Sequence, residues 1–152
     1  MSEVTESVGR YLGTVHLLTA NAGRRAKTGE VADAVGVSAA SVTEMLATLE
    51  DRGLADYEKY EGVSLTDEGE ATAREFLWRR CVAENFLEDD LELDVTEFAD
   101  DPRAFGQALS DDAIHRLKEV INHPCNGKCS ASHDEYSACS DDVRETLGDA
   151  EL

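Results

Sequence analysis

The chain has 152 residues, with 14 Lys and Arg against 33 Asp and Glu, a formal net charge of -19 and a pI of about 4.4. This length accommodates two small domains, and no apolar run approaches the roughly 20 residues that a membrane span needs. The N-terminus lacks the basic and then apolar pattern of a signal peptide, so we expect a cytoplasmic protein with no membrane partner.

The first predicted element is a helix over residues 6–22, and a basic loop follows it. Apolar residues recur along the helix at the spacing of one buried face, beginning at Val8, Tyr11 and Leu12. The loop, 23–27, is one of the few basic stretches in an acidic chain, and its natural use is contact with phosphate groups. The side chains predicted to make those contacts are Arg24, Arg25 and Lys27.

Two short helices are predicted next, separated by a tight turn. Thr28 is a candidate N-cap for a helix that ends at Val35, and Gly36 supplies the turn. Ser38 is the N-cap candidate of the second helix, Ala39 to Asp51, which places small polar side chains at its start. The residues predicted to enter a DNA major groove are Ser38, Ala39, Ala40, Ser41 and Thr43, with Thr28 as a further DNA contact.

A β-hairpin is predicted immediately after the second helix. Residues 54–57 and 63–65 are strand-like, and the polar segment 58–62 between them ends in a glycine. Lys59 at the tip is a second candidate phosphate anchor. Helix, turn, helix and hairpin in this order predict a winged helix-turn-helix, which is a DNA-binding unit.

The remainder of the chain is predicted to be helical and strongly acidic. Thr66 can cap a long helix that runs to Leu87, and shorter helices are predicted at 94–99, 102–109 and 110–121. We therefore expect a mostly α chain with three parts. These are a winged helix-turn-helix domain at 1–72, a helical domain at 73–122, and a Cys/His-rich acidic segment at 123–152.

Three stretches resemble the diphtheria toxin repressor and manganese transport regulator family. They are residues 37–46 (VSAASVTEML), Gly53-Leu54, and 57–69 (YEKYEGVSLTDEG), within a similarity that extends from about Tyr11 to Ser110. The resemblance implies a homodimeric, metal-responsive transcriptional regulator that binds double-stranded DNA and has a helical dimerisation domain. Nothing after Leu117 has the strand pattern of the SH3-like third domain that some family members carry, and no catalytic motif is present, so we expect no enzymatic activity.

The positions at which that family holds its divalent cation are altered in this sequence. The residues that align with the usual ligands are Arg10, Gly13, Arg80, Arg103, Gly106 and Gln107. None of them is an ordinary cation ligand, and only Glu84 matches an accessory ligand position. The family's Mn(II) site is therefore not expected here.

A cluster of soft ligands near the C-terminus is the candidate replacement. Cys125, Cys129 and Cys139 lie in one short segment, and Cys81 lies on the long helix beside the lost ligand position. Four thiolates suit an iron–sulfur cluster or iron, which is the interpretation we favour, with His123, His133 and Glu84 as alternate ligands. The spacing is not a specific signature, so structural or sensory Zn(II) and a metal-independent thiol redox switch remain alternatives.

The acidic residues are concentrated away from the predicted DNA-binding end. Residues 1–60 carry 6 Lys and Arg against 9 Asp and Glu, whereas 61–152 carry 8 against 24. Dense carboxylate surfaces remain hydrated and are screened at high salt, which favours a halophilic cytoplasm. The alternative is an acidic protein-interaction module, or a DNA mimic, that does not itself bind DNA.

Overall fold

The computed structural model describes residues 5–20, 22–94, 97, 100–123 and 127, and within it the chain divides into two units, Met1–Arg74 and Glu75–Leu152. The first unit contains three helices, a hairpin and the start of a fourth helix. Their bounds are α1 Glu6–Thr19, α2 Thr28–Val35, α3 Ala39–Asp51, β1 Ala55–Glu58, β2 Gly62–Leu65 and α4 Asp67–Asn85. This order confirms the predicted winged helix-turn-helix.

The core of the first unit is formed by the apolar faces of α1, α2 and α3 together with β2. Leu12, Val31, Val42 and Leu46 are fully buried there, as is Val63 of the hairpin. Each buried aliphatic side chain of this size contributes about 1.5–3 kcal/mol relative to an exposed one. The apolar stripes seen in the sequence therefore hold α3 in place and leave its opposite face exposed.

The hairpin is antiparallel, and its edge is joined to the loop before α2. Ala55 pairs with Leu65 and Glu58 pairs with Gly62, while Ala26 forms an isolated bridge with Val63. The backbone groups of Ala26 and Val63 exchange two hydrogen bonds of 2.9 Å. The basic loop consequently acts as a short third strand that anchors the wing.

Two boundaries in this unit differ from the sequence-based expectation. The first helix ends at Thr19 instead of 22, and Gly23 in the following loop takes a left-handed φ of 65°. Thr28 is the first residue of α2, and Lys27 is the N-cap. The reason is that the Glu30 carboxylate accepts a 2.8 Å hydrogen bond from the backbone N–H of Lys27. This bond makes Lys27 the N-cap, one residue before the predicted N-cap Thr28.

The second unit contains the rest of α4 and the elements that follow it. These are a π-helical turn Phe86–Asp90, α5 Asp100–Ala108 and α6 Asp111–Ile121. Trp78, Leu77, Val82 and Ile114 are buried, and the Phe86 and Phe105 rings stack with centroids 6.0 Å apart. Ser110 caps α6 by accepting a hydrogen bond from Ala113 N–H, so the helix predicted at 110–121 begins one residue later, at Asp111.

The predicted long helix to Leu87 changes to π-helical geometry at Phe86, and Leu87 remains buried. The helix predicted at 102–109 begins at Asp100, which places Pro102 in its first turn, where the missing N–H has no intrahelical partner. The helix predicted at 94–99 falls largely outside the described residues. Among the helices that are described, none combines the length and the apolar character needed to cross a bilayer.

Candidate functional site

The N-terminal end of α3 presents small side chains to solvent. The Ser38 side chain caps the helix by accepting a 3.2 Å hydrogen bond from Ser41 N–H, and both residues are exposed together with Ala39 and Ala40. The exposed Thr43 hydroxyl donates to the backbone oxygen of Ala39 at 3.0 Å, so its own oxygen remains an acceptor. This surface combines methyl groups and hydroxyl groups, which are the groups that contact base edges in a major groove.

Arg24 in the basic loop is held by an acidic partner. Its guanidinium makes two hydrogen bonds to the Glu30 carboxylate, at 2.9 and 2.8 Å. Arg24, with the Lys27 backbone N–H as the second donor, lowers the pKa of the Glu30 carboxyl to about 2. A phosphate group that binds Arg24 must therefore compete with this carboxylate.

Arg25 has a structural role in the wing. Its guanidinium donates to the backbone oxygens of Asp56 at 2.7 Å and Gly62 at 3.2 Å, and it pairs with the Asp56 carboxylate at 2.9 Å. These bonds tie the loop to both strands of the hairpin. This structural use of Arg25 goes beyond the phosphate contact predicted for it.

The two lysines of the predicted interface are exposed and lie near the wing tip. Lys27 Nζ is 3.4 Å from the backbone oxygen of Glu61, and Lys59 Nζ is 5.3 Å from the centroid of the Tyr60 ring. Thr28 is half-buried at the start of α2. Of the residues predicted to contact phosphate, Lys27 and Lys59 are therefore exposed and lie beside Tyr60, which was not among the predicted contacts.

The positions aligned with the usual cation ligands carry structural interactions. Arg10 donates to the backbone oxygen of Val35 at 3.0 Å. Arg80 Nε lies 3.6 Å from Glu84 Oε2 across one turn of α4, so the accessory ligand candidate pairs with an arginine. Gly106 packs so closely that an added Cβ would lie 2.5 Å from the backbone oxygen of Arg79.

A buried arginine, Arg79, joins α4 to the region between α5 and α6. Its guanidinium donates to the backbone oxygens of Gly106 at 2.9 Å and Leu109 at 2.7 Å, and it also pairs with Asp111. Glu75 lies one turn earlier on α4, 3.4 Å from Arg79 Nε. A permanent cation thus occupies an oxygen-lined position in this unit, which no feature of the sequence had indicated.

The second candidate site is a buried pair formed by a thiol and an imidazole. His123 Nε2 lies 3.2 Å from Cys81 Sγ, although the two residues are 42 positions apart. The exposed fractions are 4% for Cys81 and 2% for His123, and Asn85 Nδ2 is 3.8 Å from the same sulfur. Cys81 lies on α4 and His123 directly follows α6, so the pair connects these two helices.

Three of the predicted sulfur ligands, Cys125, Cys129 and Cys139, lie outside the described residues, as does His133. Of the predicted set, the structure brings Cys81 together with His123, one of the predicted alternate ligands. Within the described part of the chain, no three His, Cys, Asp or Glu residues are grouped as a metal site.

Both halves of the chain match one protein family. Residues 3–63 match the family described as "Iron dependent repressor, N-terminal DNA binding domain", and residues 66–130 match "Iron dependent repressor, metal binding and dimerisation domain". An uncharacterized HTH-type transcriptional regulator from Methanocaldococcus jannaschii is 30% identical over 115 residues, covering 76% of this chain and 92% of that protein. The HTH-type transcriptional regulator MntR from Lysinibacillus sphaericus is 31% identical over 117 residues, covering 77% of this chain and 83% of MntR.

A solved structure of the manganese regulator SloR has the same fold, with a TM-score of 0.68 and 24% sequence identity. The match covers 76% of this chain and 54% of SloR, so the chain spans about half the length of that structure. At this level of identity, the similarity to SloR establishes the fold alone.

Proposed function

This chain belongs to the iron-dependent repressor family, a family of metal-dependent DNA-binding transcriptional regulators and not of enzymes, and on that premise we propose how its DNA binding is controlled. The proposed function is regulation of genes for iron or metal homeostasis. The proposed controlling element is an iron centre, either an iron–sulfur cluster or iron alone, held by Cys and His side chains. The observation that carries this proposal is the contact between Cys81 Sγ and His123 Nε2 at 3.2 Å.

The separation of these two atoms fits two ligands of the same metal atom. Metal–sulfur and metal–nitrogen bonds of about 2.3 and 2.0–2.1 Å at a tetrahedral angle give a sulfur–nitrogen separation of about 3.6 Å. Cys81 and His123 would need to move apart by only about 0.4 Å to reach that value. The buried thiol and imidazole are also the ligand types that iron and zinc prefer, whereas Mn(II) prefers oxygen-rich sites.

The same distance restricts the kind of cluster that fits. A [4Fe–4S] cluster with four protein ligands takes one ligand on each iron, whereas a [2Fe–2S] cluster takes two on each. Adjacent ligands such as Cys81 and His123 therefore favour a [2Fe–2S] cluster or a single iron ion over a [4Fe–4S] cluster. When bound, such a centre supplies a cross-link between α4 and the segment that follows α6.

The remaining ligands are proposed from the sequence. Cys125 is two residues beyond His123, which is a short tether, and Cys129 and Cys139 follow it. His133 and Glu84 are the alternate ligands. Regulation requires that the DNA-binding and non-binding forms differ in their affinity for the metal, because a ligand shifts an equilibrium only by that difference.

The DNA-binding end is proposed to act as a dimer that reads two half-sites one helical turn apart. Ser38, Ala39, Ala40, Ser41 and Thr43 are proposed to enter the major groove. Phosphate contacts are assigned to Lys27 and Lys59 first, and to Arg24, Arg25 and Thr28 where these residues can leave their present interactions. The proposed place of action is the cytoplasm of a cell with high internal salt, since an acidic chain of this kind remains hydrated and screened there.

The test is to purify the full chain without oxygen and record its ultraviolet–visible spectrum, iron, zinc and acid-labile sulfide. An absorption band in the visible region together with sulfide supports the cluster, and iron without sulfide supports the single ion. Zinc without colour favours the alternative Zn(II) centre. If neither metal is present and DNA binding changes with thiol oxidation, the redox switch replaces the proposal.

A pair of variants links the metal to the contact seen in the structure. Cys81→Ser and His123→Gln should each lower the metal content and remove the metal dependence of DNA binding. His115→Gln changes an exposed histidine on α6 and is the matched control, which should retain both properties. Metal binding that survives both substitutions at the pair would refute its assignment as a ligand pair.

A further inference from the structure

The tip of the hairpin carries an exposed aromatic side chain on a backbone of unusual conformation. Lys59, Tyr60 and Glu61 connect the last pair of the ladder, Glu58 and Gly62. Tyr60 is 87% exposed, more than any other large apolar side chain among the residues that the structure describes, and its φ is 70°.

The backbone conformation of Tyr60 costs energy, and burial of its ring does not offset that cost. An L-residue with a side chain loses energy in the left-handed region, whereas glycine adopts it without a steric penalty. Burial of a tyrosine ring would offset that loss, but this ring is in solvent. The features of Tyr60 therefore match a residue that meets a partner.

The wing that carries Tyr60 is fixed before any partner binds. Arg25 donates to backbone oxygens on both strands, at Asp56 and Gly62, and Ala26 is paired with Val63. Little conformational freedom is therefore lost in this region when a ligand is bound, which favours affinity.

The chemistry of the tip fits duplex DNA. The part of the chain that matches the DNA-binding domain of the family, residues 3–63, includes the whole tip. Lys59 Nζ lies 5.3 Å from the centroid of the Tyr60 ring, so a cation and a flat apolar surface are presented together. In duplex DNA, a deoxyribose offers an apolar surface for the ring, and the adjacent phosphate offers a negative charge for the lysine. A DNA groove also accepts inserted side chains.

We propose that Tyr60 is a DNA-contacting residue of the wing, with its ring packed against deoxyribose and base edges beside the groove that α3 reads and with Lys59 on the adjacent phosphate. This inference rests on the proposed DNA-binding function and assigns a further residue to it. The exposed carboxylates of Glu58 and Glu61 flank the tip and repel phosphates, so the uncharged ring makes the closest approach.

The test compares Tyr60→Gly with Tyr60→Phe and Lys59→Gln in the full chain. Tyr60→Gly should raise the melting temperature by a few degrees, because glycine relieves the left-handed backbone, and should weaken binding by about tenfold, equivalent to about 1.4 kcal/mol. Tyr60→Phe keeps the ring and should bind like the wild type. Lys59→Gln should reduce the slope of log affinity against log salt by about one per protomer, whereas Tyr60→Gly should leave that slope unchanged.

The probe is fluorescein-labelled duplex DNA of random sequence, followed by anisotropy, since a sugar contact does not depend on base identity. If the wild type fails to bind this DNA at low salt both with and without its metal, the proposed DNA-binding function itself is refuted. If the wild type binds and Tyr60→Gly binds equally well, DNA binding stands and the role of Tyr60 is refuted. A lower melting temperature for Tyr60→Gly would show that the ring supports the fold, which also overturns the inference.

Discussion

Replacing Arg79 by Met tests whether the buried guanidinium holds the second unit together. The substitution keeps an unbranched side chain of similar length but removes every donor. The backbone oxygens of Gly106 and Leu109 then lose their partner, and each unsatisfied buried acceptor costs about 1–3 kcal/mol. The ion pair with Asp111 adds less than a fully buried pair would, because that carboxylate side chain is 69% exposed and solvent screens it.

The expected loss is therefore about 3 kcal/mol, after allowance for the apolar contacts that Met can make. For a chain of about this size, 1 kcal/mol shifts the melting temperature by roughly 2–4 °C, so the melt should fall by about 10 °C. Arg79→Lys keeps the positive charge but not the planar guanidinium with its several donors. Its melting temperature should therefore lie between those of the wild type and Arg79→Met.

The assay is thermal unfolding followed by the circular dichroism of the helices, with a urea titration to confirm the free-energy change. Arg116→Met is the matched control, because Arg116 is an exposed arginine on α6. If Arg79→Met melts at the same temperature as the wild type or as Arg116→Met, the buried guanidinium does not hold the second unit together.

Three further predictions concern other contacts. Glu30→Gln should release Arg24 to bind phosphate. The affinity for duplex DNA at low salt should then rise, and the slope of log affinity against log salt should steepen by about one per protomer. An unchanged slope in anisotropy titrations would show that Arg24 does not bind phosphate in this variant. Burial lowers the pKa of His16 from 6.5, so the folded state binds a proton less readily than the unfolded state. The free energy of unfolding should therefore be highest above pH 6.5 and should decrease as the pH falls below 6.5. His16→Gln should flatten this dependence between about pH 7 and pH 5 in urea unfolding, and a parallel curve would contradict the assignment. Gly69→Ala places a Cβ 1.8 Å from a backbone oxygen and should destabilise by about 3 kcal/mol, whereas Gly29→Ala, with open space around it, should stabilise by about 0.5–1 kcal/mol; equal melting temperatures for the two would refute the difference.

The elements of the first unit could be predicted because their signals are local. Ser38 and the spacing of Val42, Leu46 and Leu49 define where α3 starts and which face it buries, and the structure confirms α3 at Ala39–Asp51. The hairpin follows a glycine and contains another at its turn, which are also short-range signals.

The partners of charged side chains could not be predicted in the same way. Arg25 bonds to residues 31 and 37 positions away, and Arg79 bonds to residues 27 to 32 positions away, so neither interaction leaves a periodic pattern in the sequence. The loop position of Arg25 therefore predicts a phosphate contact, although its hydrogen bonds show that it also holds the wing. The Cys81 and His123 pair is separated by 42 positions, and only ligand chemistry suggested it in advance.

The placement of the arginines bears on how DNA binding by this acidic chain depends on salt. Arg10, Arg25 and Arg79 all donate to backbone oxygens within the chain, and Arg24 pairs with Glu30. Of the cations in the proposed interface, Lys27 and Lys59 are then the exposed ones that no ion pair holds among the described residues. The loss of affinity with salt scales with the number of phosphates neutralised, at about 0.9 per contact in the log–log slope. Two lysines from each protomer of a dimer give a slope of about -4, which is shallow for a DNA-binding protein. A protein with few phosphate contacts therefore loses less affinity at molar KCl than one with many. The remaining binding free energy must come from base and sugar contacts made by α3 and the wing. A measured slope of about -7, equivalent to about eight phosphate contacts per dimer, would show that Arg24 and Arg25 also leave their internal partners on binding DNA.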